Sequence, residues 1–255
     1  MKISKNIKAE EIEAIFLAER NEEQQKILSR FFKTDKGEYG EGDQFLGIRV
    51  PRTRAIVKEA KLRIDFEEIG KLLDSPWHEV RLCGFLLLVE EMKANLPRKS
   101  DKDTIVKDNA RKEIVTYYLA NARKANNWDL VDLSCEYIIG PYLRLNTSQD
   151  YSILYRLAES DNLWEQRIAI VTTLDLIRNG IFEPTLLLAD KLKCHHHDLI
   201  HKAIGWTLRE IWKRDKETLL GYLEKNYASL PRTTLRYVIE RFPEPERRFW
   251  LTRKP

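Results

Sequence analysis

The chain has 255 residues, of which 43% are hydrophobic and 33% charged, with a formal net charge of +4 at pH 7. This length and apolar fraction are sufficient for a substantial hydrophobic core and exclude a disordered protein. Glycine and proline are scarce, at 10 and 9 residues, whereas leucine, lysine, glutamate and arginine are abundant. The composition therefore favours helices over strands and predicts an all-α protein.

Targeting and cysteine signals are weak. The N-terminal stretch MKISKNIKAEEIEAIF carries charges where a signal peptide has its apolar segment, and the longest strongly apolar run, Phe85 to Val89, is too short to cross a bilayer. We expect a cytoplasmic protein with no membrane contact. Cys83, Cys135 and Cys194 are widely separated, which predicts neither a disulfide framework nor a CxxC metal site.

The first helices are predicted over residues 8–33, which are rich in Glu, Ile and Phe. The segment GEYGEGDQFLGIRVPRTR follows at 37–54, and Pro51 within it suits the first turn of a helix. A second charged segment, ANLPRKSDKDTIVKD at 94–108, is predicted to be a solvated loop.

Five segments with helical apolar spacing recur along the rest of the chain. They are SPWHEVRLCGFLLLVEE (75–91), NNWDLVDLSCEYIIGPYL (126–143), NLWEQRIAIVTTLDLIRNG (162–180), HDLIHKAIGWTLREIWK (197–213) and RTTLRYVIERF (232–242). Second helices are predicted between them, at 108–122, 148–159 and 183–193. Two helices per repeat predict a HEAT-like α-solenoid that spans residues 1–255 as a single domain.

The repeat spacing links four candidate site residues. Trp128 and Asp132 are four positions apart, so on a helix they share a face. Arg167 follows Trp128 by 39 positions and Trp206 follows Arg167 by another 39, about one repeat in each case. Because solenoids bind ligands on a concave surface lined by the same helix of each repeat, we expect these four side chains to converge on one groove.

Charge is uneven along the chain and points to a polyanion. Residues 1–200 carry 31 basic and 33 acidic side chains, whereas 201–255 carry 13 basic and 7 acidic ones. Cations that neutralise phosphates gain free energy from counterion release, so DNA is the expected partner. Besides Arg167, the candidate phosphate contacts are Arg52, Arg54, Lys202, Arg209, Arg232 and Arg236.

The motifs NNWDLVD, LWEQRIAI and HKAIGWTLRE, with GIRVPRTR near the start, resemble those of the DNA alkylation repair family of HEAT-like glycosylases, the AlkD-like enzymes. The resemblance covers about residues 8 to 245. It implies hydrolysis of the N-glycosidic bond of positively charged N3- or N7-alkylated purines in duplex DNA. By motif, it assigns the catalytic acid to Asp132, the aromatic contacts to Trp128 and Trp206, and the motif arginine to Arg167.

The implied chemistry suits these residue types. A purine alkylated at N3 or N7 is already a cationic leaving group, so positive charge builds up on the sugar, where a carboxylate such as Asp132 stabilises it and activates water. Indole faces attract cations, and the forked guanidinium of Arg167 suits a phosphate. No lysine matches a Schiff-base position, so we expect removal of the base without strand cleavage. We also expect a monomer that needs no metal or other cofactor.

Alternatives remain open for each signal. Two alternatives to the glycosylase are a non-catalytic HEAT-repeat protein that binds bent or branched DNA and a scaffold that binds a peptide. Tryptophans at solenoid helix starts commonly pack between repeats, which is the alternative for Trp128 and Trp206. The alternative to a catalytic role for Asp132 is a structural one, as a partner of Arg167 or of a helix N-terminus. Asp129 is expected in a first helical turn, stabilised by the helix dipole. The run Cys194 to His197 with His201 is interpreted as a polar turn rather than a metal site.

Overall fold

A computed structural model provides the structure of the protein and describes residues 6–98, 104–146, 148 and 150–253. Every regular element in these ranges is a helix, apart from an isolated bridge between Gln44 and Trp77. The predicted all-α fold class is confirmed. No helix in the described ranges combines the length and the apolar character needed to span a bilayer.

The first compact unit of the chain is Met1–Ile138. Its helices are α1 (Ala9–Ala18), α2 (Glu22–Phe31), α3 (Val50–Ala60), α4 (Phe66–Leu73), α5 (His78–Ala94), α6 (Thr104–Ala120) and α7 (Trp128–Asp132), with a short 3₁₀ helix at Ala122–Lys124. Helix α5 packs against α3, α4, α6 and α7. Its sequence is apolar around most of its circumference, and this is why it occupies the centre of the unit.

The second compact unit is Ile139–Pro255, and the boundary falls inside α8 (Cys135–Leu145). Its other helices are α9 (Ser152–Ala158), α10 (Leu163–Arg178), α11 (Glu183–Leu192), α12 (Asp198–Trp212), α13 (Lys216–Asn226), α14 (Arg232–Val238) and α15 (Glu244–Thr252), with 3₁₀ helices at Tyr227–Ser229 and Ile239–Arg241. Helix α10 packs on α12 and α12 on α14, while α9, α11 and α13 pack beside this row. Alternation of this kind is typical of an α-solenoid. The single-domain organisation stays a prediction.

Helix starts follow the polar residues that the sequence placed there. Asn127 caps α7, Asn162 caps α10 and His197 caps α12, each by accepting a hydrogen bond from a backbone N–H of the first turn. The start of α6 differs from the prediction, because α6 begins at Thr104, inside the segment predicted as a solvated loop over 94–108. Residues 99–103 of that segment lie outside the described residues.

Candidate functional site

A pocket of about 480 Å³ in the first unit lies between the end of α2 and the starts of α3, α5 and α7. We call it the aromatic pocket, and its lining includes Phe31, Phe32, Phe45, His78, Trp128 and Asp132. Trp128 and Asp132 are both half-buried. The structure thus brings onto one pocket the two residues that the sequence placed on one helix face.

The helix that carries these two residues is shorter than predicted. The segment 126–143 was expected as one helix, but α7 ends at Asp132 and α8 begins at Cys135. At the break, the Ser134 hydroxyl donates a hydrogen bond to the carbonyl oxygen of Leu130, at 2.5 Å. Serine hydroxyls that bond backbone in this way compete with the helical ladder. Trp128 and Asp132 are therefore the first and last residues of a separate five-residue helix.

Aromatic rings form one wall of the aromatic pocket. The Trp128 indole stacks on Phe32 with a centroid distance of 5.2 Å and an interplanar angle of 24°, and Phe31 meets its edge at 5.8 Å. Phe32 also stacks on Phe45, at 5.0 Å. Phe31 is 60% exposed although it contacts Trp128, so part of its ring is open to a ligand. Neither phenylalanine of the pair at the end of α2 was predicted as a site residue.

A buried ionic network contacts α7 through Asp129. The His78 ring lies between two carboxylates, with Nδ1 at 2.7 Å from Asp43 Oδ2 and Nε2 at 2.9 Å from Asp129 Oδ2. The Arg81 guanidinium also donates to Asp43. All four side chains are at most 9% exposed. Asp129 lies in the first turn of α7, as expected, but its main charged partner is a histidine rather than the helix dipole.

The two carboxylates decide the charge of His78. Burial by itself opposes a charged ring, but the attraction and hydrogen bonds of Asp129 and Asp43 outweigh it and raise the pKa of His78 to about 9. Burial likewise favours the neutral form of Asp43, but His78 and Arg81 lower the pKa of that carboxyl. His78 is therefore a buried imidazolium at neutral pH. This network was not predicted. The signal in the sequence is the segment HEVRL at 78–82, in which three of five residues are ionisable at the start of an otherwise apolar helix.

A second buried acid shapes the loop in front of α3. The Glu79 carboxylate accepts hydrogen bonds from the backbone N–H groups of Leu46, Gly47 and Ile48, at 2.8 to 3.1 Å. Because one carboxylate satisfies three buried donors, the loop has a defined path into the first turn of α3. That turn also lines the aromatic pocket.

Gly47 provides a direct test of how tightly this loop is built. Its φ is +87°, and an added Cβ would lie 2.1 Å from the carbonyl oxygen of Asn21. Gly42 has a similar φ of +81° but open space around it. We expect Gly42→Ala to cost about 1–2 kcal/mol through backbone strain alone. Gly47→Ala should cost about 1–3 kcal/mol more, since neighbouring backbone must also move. Hydrogen exchange of the first unit measures the difference between the two variants, because the chain has two compact units, and equal losses of protection would contradict the close approach.

The other two predicted site residues belong to the second unit. Arg167 on α10 is 5% exposed, and its Nη1 donates to the carbonyl oxygen of Leu199 at 2.6 Å. This contact joins α10 to the first turn of α12 and gives the guanidinium a structural partner. Trp206 lies on α12 and is half-buried. The convergence of Arg167 and Trp206 with Trp128 and Asp132 stays a prediction.

Two predicted phosphate contacts lie on α3 in the first unit. Arg52 forms a forked pair with Glu19, with Nε to Oε2 at 2.8 Å and Nη2 to Oε1 at 2.5 Å. The hydrogen bond from Arg52 lowers the pKa of Glu19. Arg54 is exposed and lines a different pocket of the same unit. Arg52 therefore already has an anionic partner, whereas Arg54 faces a concavity.

The remaining predicted phosphate contacts lie on α12 and α14. Lys202 pairs with Asp198 one turn earlier, at 2.8 Å, and Arg209 pairs with Glu240. Both ion pairs are at least partly exposed, so they stabilise the fold little and leave the cations accessible to an anionic ligand. Two further arginines of α14 are exposed, Arg232 and Arg236.

The histidine run forms the turn before α12. His197 accepts a hydrogen bond from the N–H of Leu199 through Nδ1, at 3.1 Å, and His195 Nε2 lies 2.8 Å from the side-chain oxygen of Gln166. Burial lowers the pKa of both rings. Within the described ranges, no three His, Cys, Asp or Glu side chains are grouped so that they would hold a metal ion.

Comparisons with known proteins place this geometry in a family. No match was found among curated proteins. A solved structure described as a predicted DNA alkylation repair enzyme from Enterococcus faecalis shares the fold, with a TM-score of 0.66 and 18% identity over 88% of this chain and 97% of that chain. The model of the DNA alkylation repair enzyme family matches residues 12–242. Because this match spans most of the chain, the protein belongs to the DNA alkylation repair enzyme family.

Proposed function

We propose that the protein is a monofunctional DNA glycosylase that hydrolyses the N-glycosidic bond of cationic N3- or N7-alkylated purines in duplex DNA. Membership in the family supports a role in alkylation repair in general. The observation that carries the specific proposal is the shared pocket of Trp128 and Asp132, where a half-buried carboxylate adjoins aromatic rings.

The aromatic wall suits a positively charged nucleotide. The faces of indole and phenyl rings carry negative electrostatic potential, so they attract a cation or polarised C–H groups by about 0.5–2 kcal/mol per contact, depending on desolvation. Trp128 and the exposed Phe31 offer such surfaces at the aromatic pocket. The alkylated purine carries its positive charge before the reaction, and the deoxyribose acquires that charge as the bond breaks.

Asp132 takes the chemical role. When the bond from C1′ to the purine nitrogen breaks, its electron pair leaves with the base, which departs neutral, and the sugar becomes an oxocarbenium-like cation. The Asp132 carboxylate stabilises this cation and accepts a proton from the water whose oxygen bonds to C1′. The proton then passes to solvent, and an abasic site remains in an intact strand.

The structure distinguishes between the two acids of α7. Asp129 is 4% exposed and accepts a hydrogen bond from His78, so its charge is already matched. Asp132 is half-buried on the aromatic pocket. Both acids line the aromatic pocket, but Asp129 is the more deeply buried and already pairs with His78, so Asp132 is the better candidate to meet a substrate and a water molecule.

The remaining predicted residues are proposed as DNA contacts. Trp206 provides the second aromatic contact, and Arg167 contacts a phosphate. Six other cations contact the DNA backbone, namely Arg52, Arg54, Lys202, Arg209, Arg232 and Arg236. The enzyme works as a monomer without a cofactor.

A base-release assay tests the proposal. Purified protein incubated with methylated duplex DNA is expected to release 7-methylguanine, detected by chromatography, while the strand stays intact until it is cleaved by heat or alkali. A neutral base such as unmodified guanine should not be released, because it leaves far more slowly without protonation. Release of unmodified and methylated bases at equal rates would contradict selection by leaving-group charge.

A salt titration of duplex binding separates the alternatives. Steep loss of affinity with increasing salt, together with base release, supports the glycosylase. Salt-dependent binding without base release would identify a non-catalytic DNA-binding protein. Indifference to DNA would identify a scaffold for a protein or peptide.

A further inference from the structure

A second pocket of the first unit, of about 300 Å³, combines cationic and apolar lining residues. We call it the basic pocket; its cations are Arg54 and Lys58 from α3, Lys61 directly after the end of α3, and Lys93 from α5, and the other lining residues are Val57, Leu86, Val89, Glu90, Leu133 and Tyr137. Leu133 also lines the aromatic pocket. The two pockets are therefore neighbours on the same unit and share Leu133 as a lining residue.

Helix α3 runs past both pockets with one face. Pro51 lines the aromatic pocket, and Arg54, Lys58 and Lys61 line the basic pocket. Residues three or four positions apart lie on the same side of a helix, so Pro51, Arg54 and Lys58 form one stripe, and Lys61 follows directly after the helix end. Arg54 and Lys58 are about 6 Å apart along the helix axis, and Lys61 extends the row further. This length is suited to more than one charge of a polyanion.

Helix α5 repeats the arrangement on the other side. Leu82 lines the aromatic pocket, whereas Leu86, Val89 and Lys93 line the basic pocket. Their spacing of four, three and four residues again follows one helix face. Two helices thus pass from the aromatic pocket to the basic pocket together, so the pair of pockets forms one groove that changes from aromatic to cationic.

The cations that line the basic pocket outnumber the carboxylates that line it. Its lining contains four cations and one carboxylate, Glu90, which pairs with Lys61 at 3.0 Å and with Lys93 at 2.7 Å. Among the described residues, no carboxylate pairs with Arg54 or Lys58. A net charge of +3 over apolar walls concentrates the electrostatic potential in the concavity. The pocket therefore favours an anion that also has an apolar part.

We propose that the basic pocket binds the phosphates of the DNA strand that continues from the nucleotide held in the aromatic pocket. The inference rests on the proposed function, because a nucleotide in the aromatic pocket is what brings adjoining phosphates to this place. Arg54 and Lys58 donate to phosphate oxygens, and Tyr137, which is 39% exposed, packs on the deoxyribose between them. The contact reads no sequence and therefore serves every lesion.

The double substitution Arg54→Gln/Lys58→Gln tests the site without disturbing an ion pair. We measure duplex affinity as a function of salt for the wild-type protein, for this variant and for a matched control, Lys36→Gln/Lys112→Gln. The control removes two exposed cations of the same unit outside both pockets. Since each lost phosphate contact reduces the slope of log affinity against log salt by about 0.9, the test variant should lose about 2 from the slope and the control none.

Neutral linkages locate the phosphates. Single methylphosphonate linkages are placed one at a time on either side of a stable abasic analogue in the duplex. The wild-type protein should lose affinity at one or two linkages next to the analogue, and the Arg54→Gln/Lys58→Gln variant should no longer respond at those linkages. A variant that keeps both the wild-type slope and the wild-type response to neutral linkages overturns the proposal.

The outcomes separate this inference from the proposed function. A wild-type protein that binds methylated duplex DNA and releases 7-methylguanine, with an unaltered slope in the variant, contradicts only the basic pocket. A wild-type protein that shows no salt-dependent DNA binding contradicts the proposed function itself. Binding of inorganic pyrophosphate that requires Arg54 and Lys58, without any change in DNA binding, would identify a site for a small phosphate ligand and would also overturn the DNA assignment.

Discussion

Asp132→Asn is expected to lower the rate of 7-methylguanine release from methylated duplex DNA by about 10²–10³-fold while leaving duplex affinity nearly unchanged. Asparagine has almost the same shape as aspartate, so α7 and the aromatic pocket should persist. The amide carries no negative charge and cannot accept the proton of the attacking water. The substitution therefore removes stabilisation that exists only as positive charge develops on the sugar.

Single-turnover kinetics with excess protein provide the measurement, because they separate bond cleavage from product release. Asp35→Asn is the matched control, since Asp35 is an exposed acid of the same unit outside the aromatic pocket. It should leave both the rate and the affinity unchanged. If Asp132→Asn released base at the wild-type rate, another group would have to activate the water, and the assignment of Asp132 would be wrong.

The sequence predicted those parts of the fold that depend on local patterns. Apolar residues at helical spacing predicted the helices, and capping residues such as Asn162 predicted where they begin. The break between α7 and α8 was not predicted, because the apolar pattern continues through it. At that break the Ser134 hydroxyl donates to the carbonyl of Leu130, and the backbone N–H of Ser134 donates to the carbonyl of Val131 instead.

The candidate site was predicted only in part, for a similar reason. Trp128 and Asp132 were found because one helical turn relates them. Their surroundings come from distant segments: His78 and Asp129 are 51 positions apart, and Asn127 contacts the carbonyl of Phe32 across 95 positions. No periodicity connects such residues. Arg54 was predicted as a phosphate contact, but the pocket that it lines was not predicted, because α5 and Tyr137 complete that pocket.

His78→Leu is expected to destabilise the first unit by about 3–5 kcal/mol. Leucine fills much of the same volume between Phe45 and the start of α7, but it removes the positive charge that lies between two buried carboxylates. Asp43 keeps Arg81 as a partner, whereas Asp129 loses its only cation in the network described above. The segments on either side of His78, around residues 42–48 and 128–134, should therefore open more readily.

Hydrogen exchange of those two segments measures the effect locally, because the chain has two compact units and a single unfolding transition cannot be assumed. The control is His196→Leu, which removes an exposed histidine of the second unit. It should leave protection of the first unit unchanged. Wild-type protection of residues 128–134 in the His78→Leu variant would show that the imidazolium does not hold α7.

The same network makes the first unit sensitive to alkaline pH. The pKa of His78 is about 9 in the folded protein, above the usual value of 6.5, so the folded state binds a proton more tightly than the unfolded chain. The stabilisation, on the order of 3 kcal/mol, is thus complete below about pH 6.5 and is lost as the pH rises through 9.

Protection of residues 128–134 should fall over this window in the wild-type protein but not in His78→Leu. Besides Asp43 and Asp129, the charged groups closest to this network are Arg81, which pairs with Asp43, and Glu79, which accepts hydrogen bonds from backbone N–H groups. A wild-type protein whose protection stays constant up to pH 9.5 would therefore place the proton elsewhere and leave α7 supported by packing alone.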